Sequence, residues 1–119
     1  MPEKRKFVRF SANIKVEWTI PSPFPPPAKG VTDKIKDLSR GGVCLHVDKK
    51  LNTGKTIQLK INLPTGKEVN LKGKIVRVSD LTQSLKEQPV YEIGIEFQEM
   101  DNDDRETLEK FIFEELSPR

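Results

Sequence analysis

The chain has 119 residues and a formal net charge of +3, with 33% charged residues and only 7% aromatic residues. This length suits one domain with a single core, and the absence of any apolar run of about 18 residues excludes a membrane-spanning helix. One cysteine and one histidine exclude an internal disulfide and a structural zinc site. We therefore expect a reducing, cytoplasmic setting, and the basic N-terminus lacks the apolar segment of a secretory signal.

The positive charge is concentrated in the first half of the chain. Residues 1–60 contain 13 Lys or Arg and 5 Asp or Glu, whereas residues 61–119 contain 8 and 13. This asymmetry indicates an anionic partner for the N-terminal half, although the halves of a sequence need not be the halves of a surface.

The first predicted element is a half-buried strand over residues 14–20, IKVEWTI, in which apolar and polar residues alternate. Five prolines between residues 21 and 27 predict an extended surface loop, because proline offers no amide to a sheet. A ligand for a proline-binding module is the less favoured interpretation of this loop. Residues 31–36 are a weak strand candidate, and the polar stretch DLSRGG at residues 37–42 predicts a turn.

Alternation continues through the middle of the chain. One of these patterns changes phase after Gly73, which predicts a bulge or a bend in that strand. The four further strands predicted by alternation are residues 43–47, 56–63, 69–79 and 90–97.

The last segment, residues 101–116, has a helical rather than an alternating pattern. Its apolar residues recur at helical spacing and form one stripe, and Asp101 is expected to cap the helix start. Five or six antiparallel strands followed by one helix predict a mainly β fold, a small closed or nearly closed barrel with the helix covering one side. The residues of the apolar stripe are Leu108, Phe111, Ile112 and Leu116.

Catalysis finds little support in the sequence. His46 lies on the strand face opposite Val43, Leu45 and Val47, so its side chain is expected to point to solvent. Cys44 shares that face, but no third group that would activate a Cys–His pair is visible. We therefore predict a protein that is not an enzyme and that has no catalytic or metal-binding residues.

The stretch DLSRGG permits two interpretations. Asp37 and Ser39 commonly bond their own backbone in turns, and Gly41 and Gly42 supply positive φ, so a plain turn is the simpler one. The alternative is a polar cradle, in which a carboxylate accepts from a base, a hydroxyl donates, and glycine lets a ligand approach the backbone.

The stretch RKFVR near the N-terminus also permits two interpretations. Taken alone, Arg5 and Arg9 belong to a solvated basic tail. Alternatively, the two planar guanidinium groups converge on one anion, since each can bind phosphate or the O6/N7 edge of guanine bidentately and can stack on a purine.

Together these two stretches resemble the PilZ domain family. The pattern R-x-x-x-R runs from Arg5 to Arg9, and D/N-x-S-x-x-G runs from Asp37 to Gly42. GIEF at residues 94–97, followed by a helix, is similar to the last strand of that family. The resemblance covers essentially the whole chain.

The resemblance implies a fold and a function. The fold is a six-stranded antiparallel β-barrel with a C-terminal helix, here residues 13–119, preceded by a basic ligand-binding segment at residues 1–12. The function is that of a non-enzymatic receptor for the bacterial second messenger cyclic di-GMP, with no other cofactor.

The resemblance also implies a role for each matching residue. Arg5 and Arg9 would grip the phosphates and the Hoogsteen edges of the guanines. Asp37 and Ser39 would meet guanine N–H groups and phosphate or ribose oxygens, and the Gly41–Gly42 pair would permit the turn and the close approach of the ligand. The residues expected to add positive charge only are Lys4, Lys6 and Arg40.

Ligand binding is expected to order the arginine segment and to signal to a protein partner in trans, with the chain as a monomer or a ligand-linked dimer. Two other functions remain open. One is a PilZ-like interaction module that binds no nucleotide and acts through its proline-rich loop or its helix. The other is a barrel that binds single-stranded nucleic acid, a function that usually requires aromatic stacking platforms.

Overall fold

The computed structural model describes residues 14–21, 27–83 and 88–116, with only the backbone described for residues 115 and 116. Within these ranges one antiparallel sheet, in the strand order β2-β1-β5-β6-β7-β4-β3, is followed by a C-terminal helix. The elements are β1 (Lys15–Ile20), β2 (Ala28–Thr32), β3 (Ile35–Leu38), β4 (Gly42–Val47), β5 (Thr56–Asn62), β6 (Glu68–Asp80), β7 (Tyr91–Met100), α1 (Asn102–Phe111) and a π-helical turn (Ile112–Leu116).

One face of the curled sheet forms the core. In β5, Ile57, Leu59 and Ile61 are buried while Gln58 between them is exposed, because successive side chains of a strand point to opposite faces. Trp18 is the largest of the fully buried side chains. Burial of each such side chain contributes roughly 1.5–3 kcal/mol, so the inward face holds the sheet together.

The predicted mainly β fold, with antiparallel strands and a C-terminal helix, is confirmed, but the described sheet has seven strands, one more than the six predicted. The additional strand arises because the single strand expected at residues 31–36 is two strands, β2 and β3. Buried Thr32 divides them, since its Oγ1 donates to the His46 carbonyl at 2.7 Å and accepts from the Lys34 amide at 3.1 Å. This link also joins β2 to β4 across the curl.

β2 begins at Ala28, three residues before the strand that was expected from residue 31. Gly30 pairs with Trp18 of β1, and a Cβ built on Gly30 would lie 2.7 Å from the indole ring. Glycine at this position therefore lets the second strand cover the tryptophan.

The predicted irregularity of β6 is confirmed. Its register with β7 shifts between Lys72 and Gly73 and again between Ile75 and Arg77. Ile75 is fully buried and Val76 is 50% exposed, as alternation requires, but Arg77 is exposed as well, because the second shift inserts Val76 as an extra residue. Arg77 then pairs with Gly94 of β7, which brings the arginine onto the outer face.

α1 packs its apolar stripe against the sheet through Leu108 and Phe111, both buried. Asp101 occupies the N-cap position, but its side chain makes no capping hydrogen bond, so the prediction was right in position and wrong in mechanism. The Asp101 backbone carbonyl accepts the first hydrogen bond of the helix, from the Arg105 amide at 2.9 Å. In the described part of the chain, neither length nor apolar content qualifies any helix to cross a membrane.

Candidate functional site

The DLSRGG stretch forms the tight connection between β3 and β4. The Ser39 amide donates to the Gly42 carbonyl at 2.9 Å, and the Ser39 hydroxyl donates to the same carbonyl at 3.3 Å. The Gly41 amide in turn donates to the Ser39 hydroxyl oxygen at 3.3 Å. Ser39 therefore organises the turn, and its exposed hydroxyl also remains accessible from outside.

The two glycines of this turn do not adopt the positive φ that was expected of them. Among the described residues, positive φ occurs only at Gly54 and Gly66. A Cβ on Gly42 would lie 2.5 Å from the Ile95 carbonyl oxygen, so Gly42 permits β4 to approach β7. Around Gly41, by contrast, the described chain places no atom within 4 Å of such a Cβ, which leaves open space above the turn.

Asp37 lies at the start of a row of residues that crosses four strands on the outer face. It is half-buried in β3 and pairs with Cys44 of β4. Cys44 pairs with Gly94 of β7, and Gly94 pairs with Arg77 of β6. Because paired residues of antiparallel strands share a face, Asp37 and Arg77 lie on the same surface. Arg40, in the turn itself, is exposed.

A half-buried ionic cluster adjoins this row and is centred on Glu92 of β7, whose side chain is only 14% exposed. Its Oε1 lies 3.3 Å from the Lys36 Nζ and 3.2 Å from the His46 Nε2, and its Oε2 lies 3.9 Å from the Arg77 Nη2. Burial raises the pKa of the Glu92 carboxyl, but the hydrogen bonds from His46 and Lys36 and the charges of these two side chains together outweigh burial and hold this pKa below its usual value. Glu92 is thus an ionised anchor for groups from three neighbouring strands.

The surroundings of His46 and Cys44 do not favour nucleophilic chemistry. His46 lies on the outer face as alternation predicts, but it is not fully in solvent, because its ring bonds Glu92 and its side chain is 31% exposed. Burial, together with the charge of Glu92, raises the pKa of the Cys44 thiol against the opposing effect of Arg77. A raised pKa disfavours the thiolate that nucleophilic chemistry needs. No group of three or more His, Cys, Asp or Glu side chains in the described ranges is placed to hold a metal ion.

The structure thus brings Asp37, Ser39, Gly41 and Gly42 together at one end of β3 and β4. The sequence analysis did not identify Arg77 or the cluster around Glu92. The predicted bulge in β6 could have indicated that Arg77 lies on the outer face, because a bulge reverses the face on which later residues of the strand lie. Four predicted residues fall outside the described part of the chain, namely Lys4, Arg5, Lys6 and Arg9.

A family model described as "PilZ domain" matches residues 3–114. Among solved structures, the K. pneumonia MrkH–c-di-GMP complex matches with a TM-score of 0.70 at 19% identity, over 96% of this chain and 52% of that chain. The PilZ domain with c-di-GMP of YcgR from Escherichia coli matches with a TM-score of 0.63 at 15% identity, over 94% and 91% respectively.

The Bacillus subtilis inhibitor of motility, MotI/DgrA, matches with a TM-score of 0.63 at 17% identity, over 95% of this chain and 51% of that chain. This chain therefore spans about half the length of the MrkH and MotI chains that it matches. Identities this low show a shared fold. A comparison with the curated proteins finds no match.

Proposed function

The chain belongs to the PilZ domain family, and on that premise we propose that it is a receptor for cyclic di-GMP. The observation that carries the proposal is that half-buried Asp37, near the end of β3, lies next to exposed Ser39 and Gly41 in the connection to β4. This connection offers a carboxylate, a hydroxyl and accessible backbone to a nucleotide. The proposal is further supported by two structural neighbours, the YcgR PilZ domain and MrkH, which were solved with c-di-GMP.

The proposed contacts follow from the chemistry of the ligand, which carries two phosphates and two guanines. Asp37 accepts hydrogen bonds from guanine N–H groups, and Ser39 bonds phosphate or ribose oxygens. Arg5 and Arg9 bind the phosphates and the O6/N7 edges of the guanines, because a guanidinium group presents paired donors to such acceptors. The open space above Gly41 accommodates the approach of the ligand to the backbone.

The proposed signal is the fixing of residues 1–12 against the sheet when the ligand binds. Ordering the backbone costs about 1–2 kcal/mol per residue, so the charge-assisted contacts of the two arginines must exceed that cost. The surface formed where this segment meets the sheet is then available to a protein partner in trans. We place the receptor in the cytoplasm, as a binding protein and not as an enzyme.

Calorimetric titration of the full chain with cyclic di-GMP tests the proposal. We expect saturable binding by the wild type and its loss in Arg5→Ala, Arg9→Ala and Asp37→Ala, with each variant still folded by circular dichroism. Arg105→Ala is the matched control, because it removes one exposed arginine of α1 and should bind like the wild type.

Mass measurement during the same titration gives the stoichiometry and shows whether the ligand joins two chains. Absence of heat from the wild type at high micromolar ligand would contradict the proposal. For the alternative of single-stranded nucleic acid binding, Trp18, the one tryptophan, offers no stacking platform, because it is only 2% exposed.

A further inference from the structure

We propose that Arg77 is a further ligand-contacting residue, whose guanidinium binds one guanine base of cyclic di-GMP from the β6 side of the sheet. This inference rests on the proposed function. It concerns a residue that lies outside both sequence motifs and far from them along the chain.

The first support is the position of Arg77 relative to the DLSRGG turn. Asp37, Cys44, Gly94 and Arg77 are successive cross-strand partners, so their backbones follow each other at about 4.8 Å per strand. The turn begins two residues from this row, and its Gly41 carbonyl accepts from the Phe97 amide of β7 at 2.9 Å. Arg77 is therefore part of the same small area of the outer face.

The second support is the direction of the side chain. A Cβ built on Gly94 would lie 3.3 Å from the Arg77 Cζ and 3.4 Å from its Nη2. The guanidinium thus lies across β7, over the position that a larger residue at 94 would fill. Its Nη2 lies 3.8 Å from the Cys44 Sγ, which shows that the side chain extends away from β6 and towards Asp37.

The third support is the availability of the guanidinium. The Arg77 side chain is 58% exposed, although it is held on the sheet by its contacts with Cys44 and Glu92. At 3.9 Å, the Glu92 contact is longer than a hydrogen bond, and Glu92 is already bonded by Lys36 and His46. Both contacts that the described residues make with Arg77 use Nη2, and a guanidinium has five N–H donors.

The two ends of the row offer opposite chemistry. Asp37 when ionised can only accept hydrogen bonds, whereas Arg77 can only donate them. Guanine presents N–H donors on its Watson–Crick edge and the O6 and N7 acceptors on its Hoogsteen edge, and arginine bonds the latter pair bidentately. An exposed guanidinium can also stack on the ring. Guanine therefore matches this row, whereas adenine presents a donor in place of O6.

The experiment is calorimetric titration of the full chain, with cyclic di-GMP and cyclic di-AMP as the two probes. Loss of a charge-assisted contact is expected to raise the Kd of Arg77→Ala for cyclic di-GMP about 10- to 100-fold. Arg77→Lys should not recover this affinity, because lysine keeps the charge but has neither the paired donors nor the planar surface. Arg105→Ala, which removes the same charge elsewhere, should stay within about twofold of the wild type.

A second readout separates recognition from folding. The preference of the wild type for cyclic di-GMP over cyclic di-AMP should shrink in Arg77→Ala, while the midpoint of urea unfolding stays the same. Affinity of Arg77→Ala within twofold of the wild type, or full recovery in Arg77→Lys, would overturn the role of Arg77 and leave the receptor proposal intact. Absence of binding by the wild type would overturn both proposals.

Discussion

The half of the sheet formed by β1, β5 and the start of β6 pairs without a register shift, whereas shifts occur between β3 and β4 and between β6 and β7. The outer face of the regular half carries long exposed side chains such as Lys15, Glu17 and Gln58. The outer face of the irregular half combines Gly42 and Gly94 with the ionic cluster around Glu92. Because bulges redirect side chains, the regular half supports the fold, whereas the irregular half carries the surface that we propose for ligand binding.

The strongest test of this division is a cavity in the regular half. Ile61→Ala should reduce the free energy of unfolding by about 4 kcal/mol, because Ile61 is fully buried and its loss leaves a cavity. Gln58→Ala, on the outer face of the same strand, should change it by less than about 0.5 kcal/mol. Urea unfolding measures both, and the affinity of folded Ile61→Ala for cyclic di-GMP should equal that of the wild type. A large drop in that affinity would contradict the division.

The next largest effect is a difference in stability between substitutions at the two adjacent glycines of the irregular half. Gly42→Ala should lower the free energy of unfolding by about 3 kcal/mol, because the new Cβ would meet the Ile95 carbonyl at 2.5 Å and force β4 from β7. Gly41→Ala has open space around its Cβ and should keep wild-type stability to within about 0.5 kcal/mol. Equal destabilisation of the two variants in urea would show that the turn, and not the strand contact, requires glycine.

The smallest effect is electrostatic. Glu92→Gln should cost about 1 kcal/mol near neutral pH, because it weakens charge-assisted bonds to Lys36 and His46. Since the pKa of Glu92 is lowered in the folded protein, this stability is present above the ordinary glutamate pKa of about 4.3 and is lost as the pH falls through the folded-state pKa. Urea unfolding at a series of pH values should therefore show the two proteins converging in acid. A difference that persists there would exclude the charge as its cause.

Local patterns were sufficient to predict most of the fold. Alternation predicted strands over residues 14–20 and 56–63, close to β1 (Lys15–Ile20) and β5 (Thr56–Asn62), and the phase change after Gly73 predicted the bulge in β6. The division of residues 31–36 could not be predicted, because it depends on the bond from Thr32 to the His46 carbonyl, which needs the folded sheet.

The candidate site was predictable only where its residues are neighbours in sequence. The stretch DLSRGG predicted a turn and a polar surface. Position 42, however, requires glycine because the Ile95 carbonyl of the neighbouring strand lies too close for a side chain. Arg77 and Glu92 belong to this surface because of the register of four strands, and a shift by one residue would turn each to the opposite face. The role of Arg5 and Arg9 stays a prediction.

β7 connects the irregular half of the sheet to the C-terminal helix. Its residue Gly94 lies in the row that we propose as the ligand surface, its Phe97 amide donates to the Gly41 carbonyl, and α1 begins at Asn102. At about 3.4 Å per residue, roughly 17 Å of backbone separates Phe97 from that helix start, and only Asp101 stands between strand and helix. The proposed ligand surface and the helix are therefore joined by a single strand, in which Gln98 is an extra residue opposite β6, so the path from Phe97 to the helix start is only five residues long.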